Sequence, residues 1–323
     1  MMKILETVKN CTRIGIAGHE NPDGDCAGSC CGIALYLRKM LPQARVDIYL
    51  EPLRDCLAAN IPGADTIIHE MTGDEDTYDA FIVLDSTPER IGKPEKLYRE
   101  AAVKINVDHH MTNRGSSDAH CYIDGHSSSA CELVYDLIGK DDLDAEIARA
   151  LYVGIVTDTG VFRYSNTAES TMRAAGHLMS FGFDHSRIIR EVFFERTYLQ
   201  AKILGAALTR SDLFMNGKCI FSCFDGKTME ELSAERKDLD GISEQLLLTE
   251  GVDCSVFFHE TEPGIWRASM RSVLVTDVAK TASLFGGGGH VHAAGCTIST
   301  DISAAMKAIA DDIEGQLRKA GAL

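Results

Sequence analysis

The run Ala80-Phe81-Ile82-Val83-Leu84 is apolar at every position and leads directly into Asp85. A strand that is hydrophobic on both faces must be covered on both, which is the condition of an inner strand in a parallel sheet flanked by helices. The chain around it has the matching rhythm. Short β-branched runs at 13–17, 46–50, 80–84 and 103–107 accompany a helical pattern at 28–40, as strand–helix–strand units require. Helical spacing then takes over at 128–137, 144–156 and 168–181, with Asn166 and Glu169 spaced as a capping box before the last. A parallel-sheet domain is expected over 1–185.

A helical pattern free of Gly and Pro from Asp184 until Gly205 predicts a long connector helix, placed at 186–209. After Arg210 the pattern changes to strands at 218–224, 254–260 and 265–270, interrupted by a helical stretch at 242–250. A run of four glycines, Gly286 to Gly289, precedes His290, a strand near 296–299 and a final helix at 303–319. The second domain, 210–323, is therefore a smaller α/β unit. Two domains also suit 323 residues, since about 100–200 residues per domain is usual.

The formal charge of −16 repels phosphate backbones at long range and argues against a protein that coats long nucleic acid. No stretch approaches the ~20 apolar residues that span a bilayer. The start, Met1-Met2-Lys3-Ile4-Leu5-Glu6, lacks the apolar core of a signal peptide, so a cytoplasmic address is expected. The 11 cysteines are odd in number and never spaced Cys-x-x-Cys, which reads as reduced thiols and not as a disulfide scaffold or a thiolate zinc site.

Acidic residues gather where the predicted strands end. The first strand runs into His19-Glu20-Asn21-Pro22-Asp23-Gly24-Asp25, the next inner strand into Asp85, and the strand ending at Val107 into Asp108-His109-His110. Asp158 ends a helical run. One aspartate after a strand is commonly a helix cap or a turn residue; repeated coincidences with histidines are harder to explain so. Ligand sites in open parallel sheets lie outside the carboxyl ends of the strands, and several carboxylates and imidazoles there repel one another unless cations neutralise them. Oxygen and imidazole ligands suit Mn²⁺ first, with Mg²⁺ next and Co²⁺ or Zn²⁺ allowed by affinity order. The count permits two ions, the arrangement that activates water for phosphoester hydrolysis.

His19-x-x-Pro22-Asp23-Gly24-Asp25, Asp85, Asp108-His109-His110 and Asp158, followed by Gly286-Gly287-Gly288-Gly289-His290-x-x-Ala293-Ala294-Gly295, resemble the DHH/DHHA1 phosphoesterases over essentially the whole chain. Length and domain content are similar to the stand-alone nanoRNase A type, described as oligoribonuclease and 3′-phosphoadenosine 5′-phosphate (pAp) phosphatase, and to the soluble cyclic di-AMP or pApA phosphodiesterases. The resemblance implies that His19 and Asp23 hold one metal and Asp25, His109 and Asp158 the other, with Asp85 bridging and a metal-bridged hydroxide as nucleophile. It also implies that His110 faces the scissile phosphate, as a charge stabiliser or general acid. Asp108 either orients an imidazole or caps the strand end. Asn113, in the same loop, is a weaker candidate for touching substrate. A homodimer is the family's habit.

In the second domain, period 2 puts Arg267, Ser269 and Arg271 on one face of a strand. With Gly287, Gly288, Gly289, His290 and His292 they resemble the family's substrate clamp, the glycines letting a phosphate approach the backbone. Trp266 then points to the opposite, core side. Cys30-Cys31 reads as packing, Cys26 as an oxidation liability and Asp74-Glu75-Asp76 as a solvated turn. His69, His120, His126, His177, His185 and His259 read as surface or satisfied core histidines. The expected protein is a hydrolase of short oligonucleotides, with a dedicated cyclic di-AMP/pApA phosphodiesterase as the rival enzyme and a catalytically silent nucleotide sensor as the rival of another class.

Overall fold

The computed structural model describes residues 4–73, 75 and 77–323; the expected turn at Asp74 and Asp76 lies outside the described residues. The chain divides into two units at Glu195/Arg196. Strands β1 (Arg13–Ala17), β2 (Arg45–Tyr49), β3 (Ile67–Ile68), β4 (Ala80–Leu84), β5 (Val103–Asp108) and β6 (His120–Ile123) form the first unit's sheet. Their order is β3-β2-β1-β4-β5-β6, and every pairing is parallel. All residues of β4 are buried. Ile82 and Leu84 enter the larger core, while Phe81 and Val83 enter a separate cluster with Tyr49, Tyr78 and Tyr98 on the other face. The short strands β3 and β6 escape sequence reading because two and four residues carry too little pattern.

The principal helices of this unit are α1 (Gly24–Met40), α2 (Ala130–Leu137), α3 (Ala145–Asp158) and α4 (Glu169–Met179). Helices α1 and α3 touch through glycine. A Cβ at Gly28 would lie 2.6 Å from the Ala150 carbonyl oxygen, and one at Gly24 would lie 2.3 Å from Thr157 Oγ1. This close approach brings the start of α1 against the end of α3. The expected Asn166/Glu169 capping box does not form. Ala168 occupies the N-cap position and its N–H donates to Thr171 Oγ1, while the Asn166 amide donates to Ser128 and Asp158.

The expected connector is divided. A turn of helix at His185–Ile189 and a wider coil at Arg190–Phe194 end at an extended Glu195. Helix α5 (Tyr198–Thr209) then starts afresh behind a Thr197/Gln200 capping box and belongs to the second unit. That unit's sheet comprises β7 (Asp212–Phe214), β8 (Cys219–Phe224), β9 (Cys254–Glu262), β10 (Ile265–Ser272), β11 (Gly288–His290) and β12 (Ala293–Ile298). Their order is β11-β12-β10-β9-β8-β7, antiparallel except for the parallel β8–β9 pair. Residues along β10 alternate between buried and half-buried. Trp266, Ala268 and Met270 pack with helices α7 (Val278–Ser283) and α8 (Ile302–Lys319). Across the sheet, Phe224 and Phe257 pack with α5 and with α6 (Ile242–Leu247). Among the described residues no helix is long and apolar enough to cross a membrane.

Candidate dimetal site

The parallel sheet delivers its ligands at the carboxyl ends of β1, β4 and β5. Asp85 follows β4 with a φ of 53°, the left-handed region that Asp and Asn tolerate better than other side-chain-bearing residues. The turn aims its carboxylate at two imidazoles. Asp85 Oδ2 is 3.4 Å from His19 Nε2 and Asp85 Oδ1 is 3.4 Å from His109 Nε2. His19 Nδ1–H donates to the Glu20 carbonyl at 2.9 Å, which fixes the tautomer and leaves Nε2 as the nitrogen available to a metal.

Three overlapping ligand clusters gather around this carboxylate: His19, Cys26 and Asp85; Asp85, His109 and His110; and Asp25, His109 and Asp158, each group offering atoms within 4.8 Å of one another. Asp25 is buried and accepts N–H bonds from Ala130 and Cys131 at the start of α2, at 2.6 and 2.9 Å. Asp158 arrives from the end of α3, with its Oδ2 3.8 Å from His109 Nε2. Asp23 caps α1 by accepting from the Asp25 and Cys26 N–H groups, and its Oδ1 lies 3.9 Å from His19 Nε2. Cys26, set aside at first as an oxidation liability, is fully buried with its thiol facing His19 and Asp85. Its place next to Asp25 is visible in the sequence, but nothing local shows that the thiol faces His19 and Asp85.

His110 Nδ1 is 2.7 Å from Asp108 Oδ1, which also accepts the His110 backbone N–H. Asp108 thus does both things considered for it: it holds the imidazole and it ties the turn after β5. Asn113 is buried, donating to Asp108 Oδ2 at 2.7 Å and Asn106 Oδ1 at 2.8 Å. It supports the loop from below and does not face solvent.

The donor set fits divalent cations. Asp85 Oδ1 is buried and has no hydrogen-bond partner among the described residues. Burial and the neighbouring Asp85 charge push Asp25 up to about 7, and burial and Asp25 push Asp158 up to about 8. Burial opposes charge on the two imidazoles, yet Asp85 and the Cys26 sulfur raise His19 to about 12, and Asp85, Asp25 and Asp158 raise His109 to about 10. Burial raises and the two imidazoles lower Asp85, the imidazoles prevailing at about 2. Protons thus take the place of cations. Each protonated group must lose its proton before it can hold a metal, so metal affinity would fall steadily as pH drops through the range in which His19, His109, Asp158 and Asp25 take up protons. Uptake of Mn²⁺ at pH 7 is expected to release more than one proton per chain, measured by titration calorimetry in buffers of different ionisation enthalpy. Affinity that does not change between pH 6 and 8 would contradict the assignment.

In the second unit, Arg267, Ser269 and Arg271 share one face of β10 and line a common pocket. Arg271 pairs with Glu244 at 2.6 Å. The glycine run is two strands away. Gly288–His290 forms β11 at the sheet edge, paired only with β12. A Cβ at Gly287 would lie 2.4 Å from the Gly295 carbonyl oxygen. His292 Nδ1 is 3.0 Å from Ser272 Oγ. The structure therefore brings the arginines together but does not place the glycine run in their pocket.

Two family models match the chain: the DHH family, N-terminal domain, over residues 13–155, and the DHHA1 domain, over residues 216–319. The chain is 29% identical to the bifunctional oligoribonuclease and PAP phosphatase NrnA of Thermus thermophilus, covering 96% of this chain and 92% of that protein. It is 27% identical to the protein of the same name from Bacillus subtilis, covering 92% of each. The crystal structure of an exopolyphosphatase-related protein from Bacteroides fragilis superposes with a TM-score of 0.86 at 23% identity, covering 96% of this chain and 94% of that one. That match bears on the fold. With both domains matched in order and the DHH aspartate and histidines gathered around Asp85, the chain belongs to the DHH/DHHA1 family.

Proposed function

We propose that this chain is a phosphoesterase that hydrolyses short oligonucleotides, pApA among them, and removes the 3′-phosphate of pAp, with two Mn²⁺ ions as its working metals. The observation that carries the reading is Asp85, whose two carboxylate oxygens face different imidazoles and so belong to two adjacent ligand clusters. Divalent ions bound at such a pair supply an activated water and neutralise charge on the phosphate oxygens. The rest of the chemistry belongs to the chain. Asp25, Asp158, His19 and His109 would hold the ions once deprotonated. The Asp108 hydrogen bond, helped by Asp85, outweighs burial and raises the His110 pKa. When protonated, a ring held in this way would be suited to meeting negative charge as it develops on the phosphate or its leaving oxygen.

The names of the relatives, oligoribonuclease and PAP phosphatase, support the substrate class. The second unit supplies the substrate contacts, with Arg267, Ser269 and Arg271 on β10 and Gly287–Gly289, His290 and His292 at and beside the β11–β12 edge. Purified Mn²⁺-loaded protein should cleave linear pApA to mononucleotides and pAp to AMP, with cyclic di-AMP at least about tenfold slower, read by chromatographic product identification. Turnover confined to cyclic di-AMP would favour the dedicated phosphodiesterase. No turnover of any of the three with Mn²⁺ bound would favour the silent sensor.

A further inference from the structure

Of the three ligand groups around Asp85, one contains a sulfur. Asp25, His109 and Asp158 offer only oxygen and nitrogen, whereas His19 and Asp85 meet Cys26, with the three donor atoms within 4.8 Å of one another. Asp23, the other candidate beside His19, enters none of the groups. Its side chain is 56% exposed, and its Oδ1 already accepts the Asp25 and Cys26 N–H groups. The sulfur is the donor that faces both His19 and Asp85.

The thiol is built into this position. Cys26 is fully buried in the first turn of α1, and a Cβ at Gly18, the residue before His19, would lie 2.2 Å from its Sγ. Glycine at 18 is what leaves room for the sulfur. Asp85 beside it is 3% exposed, and its Oδ1 has no hydrogen-bond partner among the described residues. A buried polar atom left so needs a reason, and a cation supplies one. Cys131, also buried next to Asp25, is engaged otherwise: its thiol donates to the Asp25 carbonyl oxygen at 3.6 Å, and it enters no ligand group.

Donor chemistry selects the ion. Carboxylate sites suit Mn²⁺ and Mg²⁺, whereas a thiolate joined by imidazole and carboxylate suits Zn²⁺, with Co²⁺ as its closest substitute. Tetrahedral ligands at zinc bond lengths stand roughly 3.5 Å apart, so donors within 4.8 Å converge on one ion by small side-chain rotations. The lack of Cys-x-x-Cys spacing excludes a sulfur-rich site and leaves a single sulfur in a mixed set open. We propose that Cys26 is a metal ligand at the His19 position and biases that position toward Zn²⁺ or Co²⁺ over Mn²⁺; the assignment rests on the reading of these clusters as a dimetal phosphoesterase centre. On binding, a sulfur–metal bond forms and the thiol proton leaves to solvent, with no change of oxidation state.

Cobalt reports the sulfur directly. Metal-free protein titrated with Co²⁺ should develop a near-ultraviolet sulfur-to-cobalt charge-transfer band, which Cys26→Ala and Cys26→Ser abolish and Cys131→Ala retains. In competition with a chromophoric chelator at fixed pH, the preference for Zn²⁺ over Mn²⁺ should fall at least about tenfold in both Cys26 variants. Should neither variant fold, the wild type decides alone: X-ray absorption at one equivalent of Zn²⁺ should show one sulfur neighbour at about 2.3 Å. A band absent from the Co²⁺-loaded wild type, a band that survives in the Cys26 variants, or a zinc shell of nitrogen and oxygen only would overturn the assignment. Sulfur ligation in a protein that hydrolyses neither pApA nor pAp with any of these metals would refute the proposed activity and retain the ligand. Mn²⁺-supported hydrolysis without a sulfur shell on zinc would do the reverse.

Discussion

Asp85→Asn is expected to abolish phosphoester hydrolysis while leaving the fold intact. Asp85 Oδ2 faces His19 and Oδ1 faces His109, so replacing one of these oxygens by an amide would disturb both candidate cation positions together. Charge stabilisation by metals in such centres is worth several kcal/mol. A loss of about 4 kcal/mol corresponds to roughly a thousandfold in rate, and kcat should fall at least that far. Folding should survive for two local reasons. Asparagine accepts the left-handed backbone at this position, and removing one negative charge relieves the crowding that holds protons on Asp25 and Asp158. Metal content by plasma mass spectrometry, kcat on pApA and the melting temperature of the metal-free protein together check the expectation. Near-normal activity in the variant, or in wild-type protein after exhaustive chelation, would eliminate the dimetal mechanism.

The second large effect concerns substrate length. A net charge of −16 places a repulsive field around the molecule, and each phosphate that protrudes from the binding sites meets it. The value of kcat/KM is expected to peak at two to five nucleotides and to be lower by about a hundredfold or more for a 24-mer. The response to salt has a distinctive sign. A basic nuclease gains long-substrate affinity as salt is lowered, because counterions are released. Here lower salt lengthens the range of the repulsion, so the 24-mer should become a poorer substrate. Measuring kcat/KM against length at two ionic strengths decides the matter. A flat length profile, or activation of the 24-mer at low salt, would point to a protein that tracks long strands.

Much of this molecule was legible in the chain itself because the relevant signals are local. An all-apolar run such as Ala80–Leu84 flanked by strand–helix rhythm reads as an inner strand, and period 2 places Arg267, Ser269 and Arg271 on one face of a strand. The acids and histidines at the strand ends needed only the rule that a parallel sheet presents its carboxyl ends to ligands. Elements of two to four residues, such as β3, β6, β7 and β11, have too short a period to register.

What the tertiary structure alone decided are the relations between groups distant in sequence. Asp25 and Asp158 share a cluster because glycines let α1 and α3 approach to contact, and no spacing along the chain encodes that distance. Cys26 faces His19 and Asp85 from the first turn of α1, whose N–H groups the Asp23 side chain caps. Asn113 is drawn under Asp108 by a buried hydrogen-bond network that closes only when β5 and its following loop are in place. His259 is an unremarkable residue of an alternating strand until β10 sets Arg267 opposite it and the segment 236–244 covers the face. Periodicity along a chain reports which side a residue takes. Burial, electrostatic pairing and ligand geometry depend on which distant surfaces that side meets, and packing alone sets those.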